Sequence, residues 1–234
     1  MPTCARAAPL YIGGLTALSA TDYPGELAAV VYCQGCPWRC GYCHNPHLLP
    51  RHTAATTGWD EVLEFLGRRR GLIDAVVFSG GEPTAQRGLI AAMREVKDLG
   101  YRIGMHSAGI YPRRFAETLS LVDWVGFDAK APFDAAYARI TGVQGSGEAA
   151  RASAQALLAS GVAYEFRTTW QAHILAPGEL ERLVATLADL GVRRYVLQEC
   201  RDSGHAGRRG GEWAAAPVLD LMARRFAHFS VRRA

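Results

Sequence analysis

Short apolar runs rich in β-branched residues alternate along most of the chain with longer segments whose apolar residues recur at helical spacing. The first pattern is typical of strands buried in a parallel sheet, and the second is typical of amphipathic helices. The predicted strands cover residues 27–32, 75–79, 102–106, 124–128, 164–169 and 194–198. The predicted helices cover residues 59–70, 86–99, 112–121, 149–160, 177–190 and 217–226.

Three of the predicted helices stop at a glycine that is followed at once by an apolar run. These glycines are Gly100, Gly161 and Gly191. A glycine just past the last helical residue can adopt the left-handed conformation that closes a helix. We therefore expect a short turn at each of these positions, leading directly into the next strand.

Alternation of strands and helices predicts a parallel sheet joined by right-handed crossovers. Six units are too few for the closed eightfold barrel. The pattern therefore predicts either an open partial (β/α)6 barrel or a doubly wound sheet. In both folds, ligands bind at the carboxyl ends of the strands. We expect one domain over residues 1–234, with its core at about 25–200 and a C-terminal helix and tail at 201–234.

The length and composition fit one globular α/β domain of ordinary size. Of the 234 residues, 49% are hydrophobic and 21% are charged, so a sizeable core can be buried and wholesale disorder is excluded. The net charge of +4 is too small to indicate a nucleic-acid partner. No apolar run approaches the ~20 residues of a membrane span, and the first residues lack the pattern of a signal peptide. We expect a cytoplasmic protein with no nucleic-acid or membrane partner.

The C-terminal third is rich in arginine. We interpret these arginines as solvated side chains on helix faces. A docking patch for an acidic partner is the alternative.

Four of the six cysteines lie close together in one segment. In a reducing compartment, clustered cysteines indicate metal binding or catalysis. The spacing Cys36-x3-Cys40-x2-Cys43 places three thiolates on one short loop, which leaves an iron of a cubane cluster with an open position. Zinc is the alternative, with Cys33 or His44 as a fourth ligand, although zinc sites usually add a second, distant pair of ligands.

This cysteine spacing, continued by the sequence Tyr-Cys-His-Asn-Pro at residues 42–46, resembles the signature of the radical S-adenosylmethionine (SAM) superfamily. Within that superfamily it resembles the activases of glycyl-radical enzymes. The resemblance extends from about residue 10 to about residue 198. It is carried by segments similar to anaerobic ribonucleoside-triphosphate reductase activating proteins, at residues 12–15, 19–25, 34–36, 78–84, 127–130 and 165–169.

The resemblance implies a partial barrel, open on one side, in which Cys36, Cys40 and Cys43 hold a [4Fe–4S] cluster. The open iron binds SAM, and reduction cleaves SAM to a 5′-deoxyadenosyl radical. The implied partner is a glycyl-radical enzyme, namely the large subunit of anaerobic ribonucleotide reductase. The implied electron donor is a reduced protein of the flavodoxin or ferredoxin type.

The same resemblance assigns cofactor contacts at the ends of two predicted strands. Gly80, Gly81 and Glu82 match the motif that holds the methionine ammonium of SAM. Two glycines allow close backbone approach, and a carboxylate attracts a cation. Asp128 and Lys130 match residues near the ribose and at the carboxylate of SAM, respectively, and their spacing points both side chains to one face of a strand. A surface ion pair between them is the alternative.

At other positions the match to the activases is incomplete, or the residue has more than one interpretation. Tyr42 corresponds to the aromatic residue against adenine, and a core tyrosine is the alternative. Ser107 is a candidate hydrogen-bonding group for ribose or for a substrate backbone. Activases often carry Asp-Thr-Asn-Gly at residues 106–109, whereas this chain has His-Ser-Ala-Gly. His106 is either a cavity residue or a satisfied interior histidine, and Arg167 either faces the SAM cavity or pairs with Glu165.

Two further functions stay open from the sequence. One is a radical SAM reaction on a small molecule or a modified nucleoside. The other is a zinc-stabilised binding module without catalysis. Within the cysteine loop, Trp38 shields the metal centre, contacts a partner, or simply packs the loop. Cys4 and Cys200 have no assigned role.

Overall fold

The computed structural model describes residues 8–51, 57–170, 173–200, 214 and 216–233. Within these residues, one eight-stranded sheet has its strands in strict chain order. The strands are β1 (Ile12–Ser19), β2 (Ala28–Cys33), β3 (Ala75–Gly80), β4 (Arg102–Ser107), β5 (Trp124–Asp128), β6 (Ala163–Trp170), β7 (Arg194–Glu199) and β8 (His228–Arg232). The first pair is antiparallel, and every later neighbouring pair is parallel.

Helices connect the parallel strands. They are α1 (Trp59–Arg68), α2 (Leu89–Asp98), α3 (Pro112–Thr118), α4 (Ala135–Thr141), α5 (Ser146–Ser160), α6 (Pro177–Asp189) and α7 (Ala216–Arg225), with short 3-10 turns at Pro46–Leu48 and Pro83–Ala85. Because the strand order never reverses, right-handed crossovers place all these helices on the same face of the sheet. This excludes a doubly wound sheet and confirms the predicted partial barrel, open on one side. No helix in the described part of the chain is long and apolar enough to cross a membrane.

Local sequence explains several of the helix ends. Asp134 begins α4 by accepting a hydrogen bond from the amide of Ala136 at 2.8 Å, which satisfies one of the free N–H groups of a first turn. Gly100, Gly161 and Gly191 have φ angles of 90°, 75° and 87°, which confirms the left-handed turns predicted after three helices.

The two faces of the sheet form separate cores. The outer face packs against the helices through a large apolar cluster that includes Val31, Phe78 and Phe127. The inner face carries a smaller cluster near the amino ends of the strands, where the rings of Tyr23 and Trp124 stack with centroids 5.3 Å apart. Tyr23 follows β1 and Trp124 begins β5, so this contact spans the inside of a curved sheet. The inner cluster fills the amino end of the barrel and leaves the carboxyl end open.

The six predicted strands correspond to β2 to β7, with bounds that agree to within one residue, but the predicted number was too low, because β1 and β8 were missed. β1 contains Gly13, a residue that weakens strand propensity. A Cβ atom there would lie 2.2 Å from Leu48 Cδ2 and 2.5 Å from Gln34 Oε1, so the glycine leaves room for two side chains that are distant in sequence. β8 lies in the arginine-rich tail that we interpreted as solvated.

The start of α2 also differs from the prediction, since the helix begins at Leu89 and not at residue 86. The Gln86 side chain accepts a hydrogen bond from the amide of Tyr11 at 3.2 Å and donates to the carbonyl of Gln34. A Cβ atom on Gly88 would lie 2.3 Å from the carbonyl oxygen of Ala8. Contacts with the N-terminal segment therefore hold residues 86–88 outside the helix.

We expect Trp124→Ala to lower the free energy of unfolding by about 3–5 kcal/mol, the usual cost of truncating a buried aromatic side chain. Trp124 is 5% exposed and fills the inner cluster against Tyr23. Trp124→Phe keeps a ring at this place and should cost clearly less. Urea unfolding of the three proteins measures both effects. An alanine variant as stable as the wild type would show that this cluster does not support the barrel.

Candidate active site

A cavity of about 860 Å³ opens at the carboxyl ends of the strands. Its volume is typical of small-molecule sites. All ten residues predicted for the site line it, namely Cys36, Cys40, Tyr42, Cys43, Gly80, Gly81, Glu82, Ser107, Asp128 and Lys130. The structure thus brings the predicted residues together, while their individual roles stay predictions.

The loop after β2, which carries the three cysteines, is held by backbone hydrogen bonds to the chain that follows it. The amides of Gly35 and Cys36 donate to the carbonyls of Leu48 and Leu49, at 2.7 and 3.1 Å. The Arg39 guanidinium donates to the carbonyl of Cys36 at 2.6 Å. These bonds fold the loop back on itself and fix the direction of its side chains.

Trp38 anchors the same loop to the body of the protein. Its side chain is 3% exposed and meets the ring of Tyr137 on α4 edge-on, with centroids 5.7 Å apart. The amide of Arg39 donates to the carbonyl of Thr141, at the end of that helix, at 2.8 Å. Of the alternatives considered for Trp38, loop packing agrees best with this buried position.

Three free thiols, those of Cys36, Cys40 and Cys43, are half-buried and line the cavity. Burial, aided by the nearby charge of Glu82, raises the pKa of Cys36 to about 12, and burial also raises the pKa of Cys40. Both thiols therefore keep their protons at neutral pH until a bound metal displaces them. Cys33 is fully buried in the outer core.

Among the described residues, no group of three or more His, Cys, Asp or Glu side chains is arranged to hold a single metal ion. The three thiols instead share one wall of a wide cavity. Cysteine thiolates are the ligands that iron–sulfur clusters take. This donor set and the space in front of it fit a cluster.

Gly80 and Gly81 allow β3 to end directly against the cysteine loop. Gly80 has a φ angle of 102°, and a Cβ atom there would lie 2.6 Å from the amide nitrogen of Cys33. A Cβ atom on Gly81 would lie 2.5 Å from the carbonyl oxygen of Gly35. The amides of Gly81 and Glu82 donate to the carbonyls of Cys33 and Gly35, at 2.9 and 3.0 Å. Any side chain at these glycines would separate the two segments.

The carboxylate of Glu82 connects the ends of β3 and β4. It accepts hydrogen bonds from the amide and hydroxyl of Thr84 at 3.1 and 2.6 Å, from the Ser107 hydroxyl at 2.8 Å, and from the amide of Ala108 at 3.0 Å. Burial raises the pKa of Glu82, and these donors oppose the shift. The Ser107 hydroxyl also accepts from the amide of Gly109 at 3.0 Å, so both side chains are held by protein groups.

Asp128 and Arg167 form an ion pair across β5 and β6. Arg167 Nε and Nη2 lie 3.0 and 2.8 Å from Asp128 Oδ1. Although burial opposes it, the Arg167 guanidinium lowers the pKa of Asp128, which stays ionised. Lys130 Nζ lies 3.9 Å from Asp128 Oδ2 and 5.7 Å from the ring centre of Tyr42. Arg167 therefore faces the cavity, and its alternative pairing with Glu165 was wrong.

His106 is a satisfied, neutral histidine in the cavity wall. Its Nε2 lies 2.7 Å from the carbonyl oxygen of Asp22, which can only accept, so this nitrogen carries the proton. Nδ1 then accepts from the Ser79 hydroxyl at 3.2 Å. Burial, aided by the charge of Arg167, lowers the pKa of His106 to about 4. A neutral imidazole thus occupies the place where activases often carry a carboxylate.

The far wall of the cavity, formed by β6, β7 and β8, was not predicted. It contributes Thr169, Gln198, Glu199, Arg232 and Arg233. The Arg232 guanidinium contacts both carboxylate oxygens of Glu165 at 2.8 Å. Thr169 and Gln198 end strands that the pattern did predict, so the strand-end rule was a usable signal for them. No sequence signal pointed to Arg232, because β8 was not predicted.

The carboxyl end of β7 reaches back to the cysteine loop. Cys200 Sγ lies 3.7 Å from Nε2 of His44, the residue after Cys43. The walls of the cavity therefore meet at the cysteine loop. This contact directs His44 towards Cys200. The zinc alternative had proposed His44 as a fourth ligand beside the three thiols and did not include Cys200.

The comparison with protein families matches residues 30–191 to the radical SAM superfamily. Over 198 residues the chain is 29% identical to a putative glycyl-radical enzyme activating enzyme of Methanocaldococcus jannaschii, covering 80% of this chain and 79% of that protein. Over 136 residues it is 33% identical to the pyruvate formate-lyase-activating enzyme of Clostridium pasteurianum, covering 56% of this chain and 57% of that protein.

Among solved structures, SuiB of Streptococcus suis bound to S-adenosylmethionine has a similar fold. The TM-score is 0.67 at 13% sequence identity, covering 88% of this chain and 49% of that chain. This chain thus spans about half the length of that protein. At this identity, the likeness establishes the fold.

We expect Gly81→Ala to lower the free energy of unfolding by about 1–3 kcal/mol, because its methyl group would collide with the Gly35 carbonyl. Iron incorporation during anaerobic reconstitution should fall as well, since the cysteine loop would move. The matched control is Gly67→Ala in α1, where a Cβ atom meets nothing within 4 Å and alanine should stabilise the helix. Equal iron content in both variants would contradict this account.

We expect the stability of the wild type to fall as the pH is lowered from about 6.5 to about 4, partly because of His106. The unfolded histidine takes up a proton near pH 6.5, whereas the folded one does so only near pH 4, so acid favours unfolding in this window. His106→Gln lacks this contribution. Urea unfolding at several pH values should give a shallower pH dependence for the variant, and parallel curves would contradict the neutral assignment.

Proposed function

The chain belongs to the radical SAM superfamily, and on that premise we propose that it is an activating enzyme of a glycyl-radical enzyme. Its cofactors are a [4Fe–4S] cluster and S-adenosylmethionine, as membership implies. The observation that carries the proposal is one shared cavity: three free thiols line it together with the Gly-Gly-Glu turn and the end of β5. The activase assignment is supported by the two relatives that are named as activating enzymes.

In this proposal, the thiolates of Cys36, Cys40 and Cys43 hold the cluster. When bound, the reduced cluster and SAM supply an electron and a 5′-deoxyadenosyl radical, which takes a hydrogen atom from the substrate and leaves methionine, 5′-deoxyadenosine and a substrate radical. The protein's part is to bind, to orient and to exclude water. The hydrogen-bonded loop and the buried Trp38 hold the thiols in place for that task.

We assign the methionine end of SAM to the residues between β3 and β5. Gly80 and Gly81 expose backbone groups to the methionine ammonium, and Glu82 fixes their turn and contributes negative charge nearby. Lys130 holds the methionine carboxylate. Its ammonium lies at 3.9 Å from one oxygen of Asp128, whose other oxygen Arg167 occupies, which leaves Lys130 able to accept a second anion.

We assign the nucleoside end of SAM to three further residues of the same cavity. In this proposal Tyr42 would lie against adenine, and Asp128 and Ser107 would lie near the ribose. Asp128 stays ionised because of Arg167, so it can accept a hydrogen bond from a ribose hydroxyl. Ser107 already donates to Glu82, so we expect it to act mainly by fixing that carboxylate.

The proposed partner is the large subunit of an anaerobic ribonucleoside-triphosphate reductase, and the proposed electron donor is a reduced flavodoxin or ferredoxin. The partner assignment is supported by the segments that resemble the activating proteins of that reductase. Because β1 and β8 are not paired, the described barrel is open between them, which offers a side entrance for a protein loop.

The deciding experiment is anaerobic. The protein is reconstituted with iron and sulfide, reduced, and mixed with SAM and a recombinant anaerobic reductase large subunit. We expect a brown protein, formation of 5′-deoxyadenosine, and a glycyl-radical signal in the electron paramagnetic resonance spectrum of the reductase. SAM cleavage without that signal would refute the partner. A colourless protein with stoichiometric zinc would refute the activity.

We expect Cys40→Ala to lose the visible absorbance of the cluster and to form at least about a hundredfold less 5′-deoxyadenosine, because loss of one thiolate leaves two ligands on the loop. The matched control is Cys33→Ala. Cys33 is fully buried on the outer face of β2, so this variant should keep both its iron and its activity. Equal losses in the two variants would contradict the ligand assignment.

A further inference from the structure

Most polar side chains around the cavity are engaged with other described protein groups, and among those that are not, two lie side by side on neighbouring strands. Thr169 and Gln198 are half-buried and line the cavity. Neither the Thr169 hydroxyl nor the Gln198 carboxamide forms a hydrogen bond with another residue in the described part of the chain. Glu82 and Asp128, by contrast, are held by several protein donors. Uncommitted polar groups facing a cavity indicate a place where a ligand makes the hydrogen bonds.

The two side chains lie next to each other. Thr169 on β6 and Gln198 on β7 are direct partners in the parallel register. Thr169 is two residues beyond Arg167, so both point inward, with Thr169 nearer the cavity mouth. The Arg167 guanidinium lies over Gly126, where a Cβ atom would be only 2.7 Å from its carbon, and forms the floor below. The hydroxyl and the carboxamide thus make a small polar shelf above a closed ion pair.

This shelf lies close to the reacting centre but outside the proposed cofactor contacts. The thiols and the SAM contacts come from β2 to β5 and the loops that follow them. Gln198 is two residues before Cys200, which touches His44 in the cysteine loop at 3.7 Å. A molecule on the shelf would therefore lie beside the cysteine loop, on strands other than those proposed to hold SAM.

The chemistry of the shelf favours a neutral ligand. Two cations of this wall, Arg167 and Arg232, are already paired with Asp128 and Glu165, so they do not offer a free positive charge to a phosphate or a carboxylate. A glutamine side chain presents one carbonyl acceptor and an N–H donor group, which complement the donor and acceptor of a peptide unit. The threonine hydroxyl can either donate or accept a hydrogen bond.

We propose that Thr169 and Gln198 form the substrate-side platform that hydrogen-bonds the peptide backbone of the glycine-bearing segment and positions it before the cofactor. This inference rests on the proposed function and specifies how the same site takes a peptide. It disfavours an anionic small molecule as the substrate.

The test compares Gln198→Leu and Thr169→Val, which keep the approximate shapes of the side chains but remove their hydrogen bonds. Each should raise KM for the reductase large subunit, and weaken its binding to the SAM-loaded protein, by about two- to tenfold, the worth of one hydrogen bond. The effect on kcat should be smaller. Thr169→Ser keeps the hydroxyl and should restore KM. Gln155→Leu, the same change on the exposed surface of α5, should behave as the wild type.

Unchanged KM and affinity in both shelf variants would overturn the platform while leaving the proposed function intact. A rise in KM that Thr169→Ser does not reverse would also overturn it, because the effect would then come from packing. If the wild type cleaves SAM but forms no glycyl radical on the reductase, the proposed partner fails, and the platform for its glycine-bearing segment falls with it.

Discussion

At the carboxyl end of β3, two glycines bring one strand end within backbone contact of the cysteine loop. The amides that follow Gly80 donate into that loop, and a Cβ atom on Gly80 or Gly81 would collide with its backbone. Because of this approach, the three thiols and the carboxyl ends of the strands enclose one cavity. Glu82 then extends the same arrangement to β4 through its hydrogen bonds with Ser107 and Ala108.

Acidic side chains inside the barrel are paired with arginines or surrounded by hydrogen-bond donors. Asp128 is paired with Arg167, Glu165 is paired with Arg232, and Glu82 is surrounded by hydrogen-bond donors. An unpaired charge in such a place would be expensive, because burial removes it from water. His106 avoids that cost by staying neutral. The described interior of the barrel is therefore polar, with its charges compensated by neighbouring protein groups.

The cavity divides into two halves along the order of the strands. β2 to β5 carry the residues proposed for the cluster and SAM, and β6 to β8 carry a wall whose uncommitted groups are neutral. A protein substrate agrees with this division, since a peptide backbone needs hydrogen bonds and no counter-charge. The two relatives named as activating enzymes point to the same class of substrate.

The sequence by itself determined the alternation of strands and helices, the helix-closing glycines, the three thiols on one loop and the residues at the strand ends, because these depend on local spacing. Tertiary structure alone decided the rest. β1 forms because it pairs with β2, although Gly13 weakens its local strand pattern, and residues 86–88 stay outside α2 because Gln86 bonds the N-terminal segment. The partner of Arg167 was likewise decided by the register between β5 and β6, which places it beside Asp128. Such contacts join residues far apart in the chain, so no local pattern encodes them.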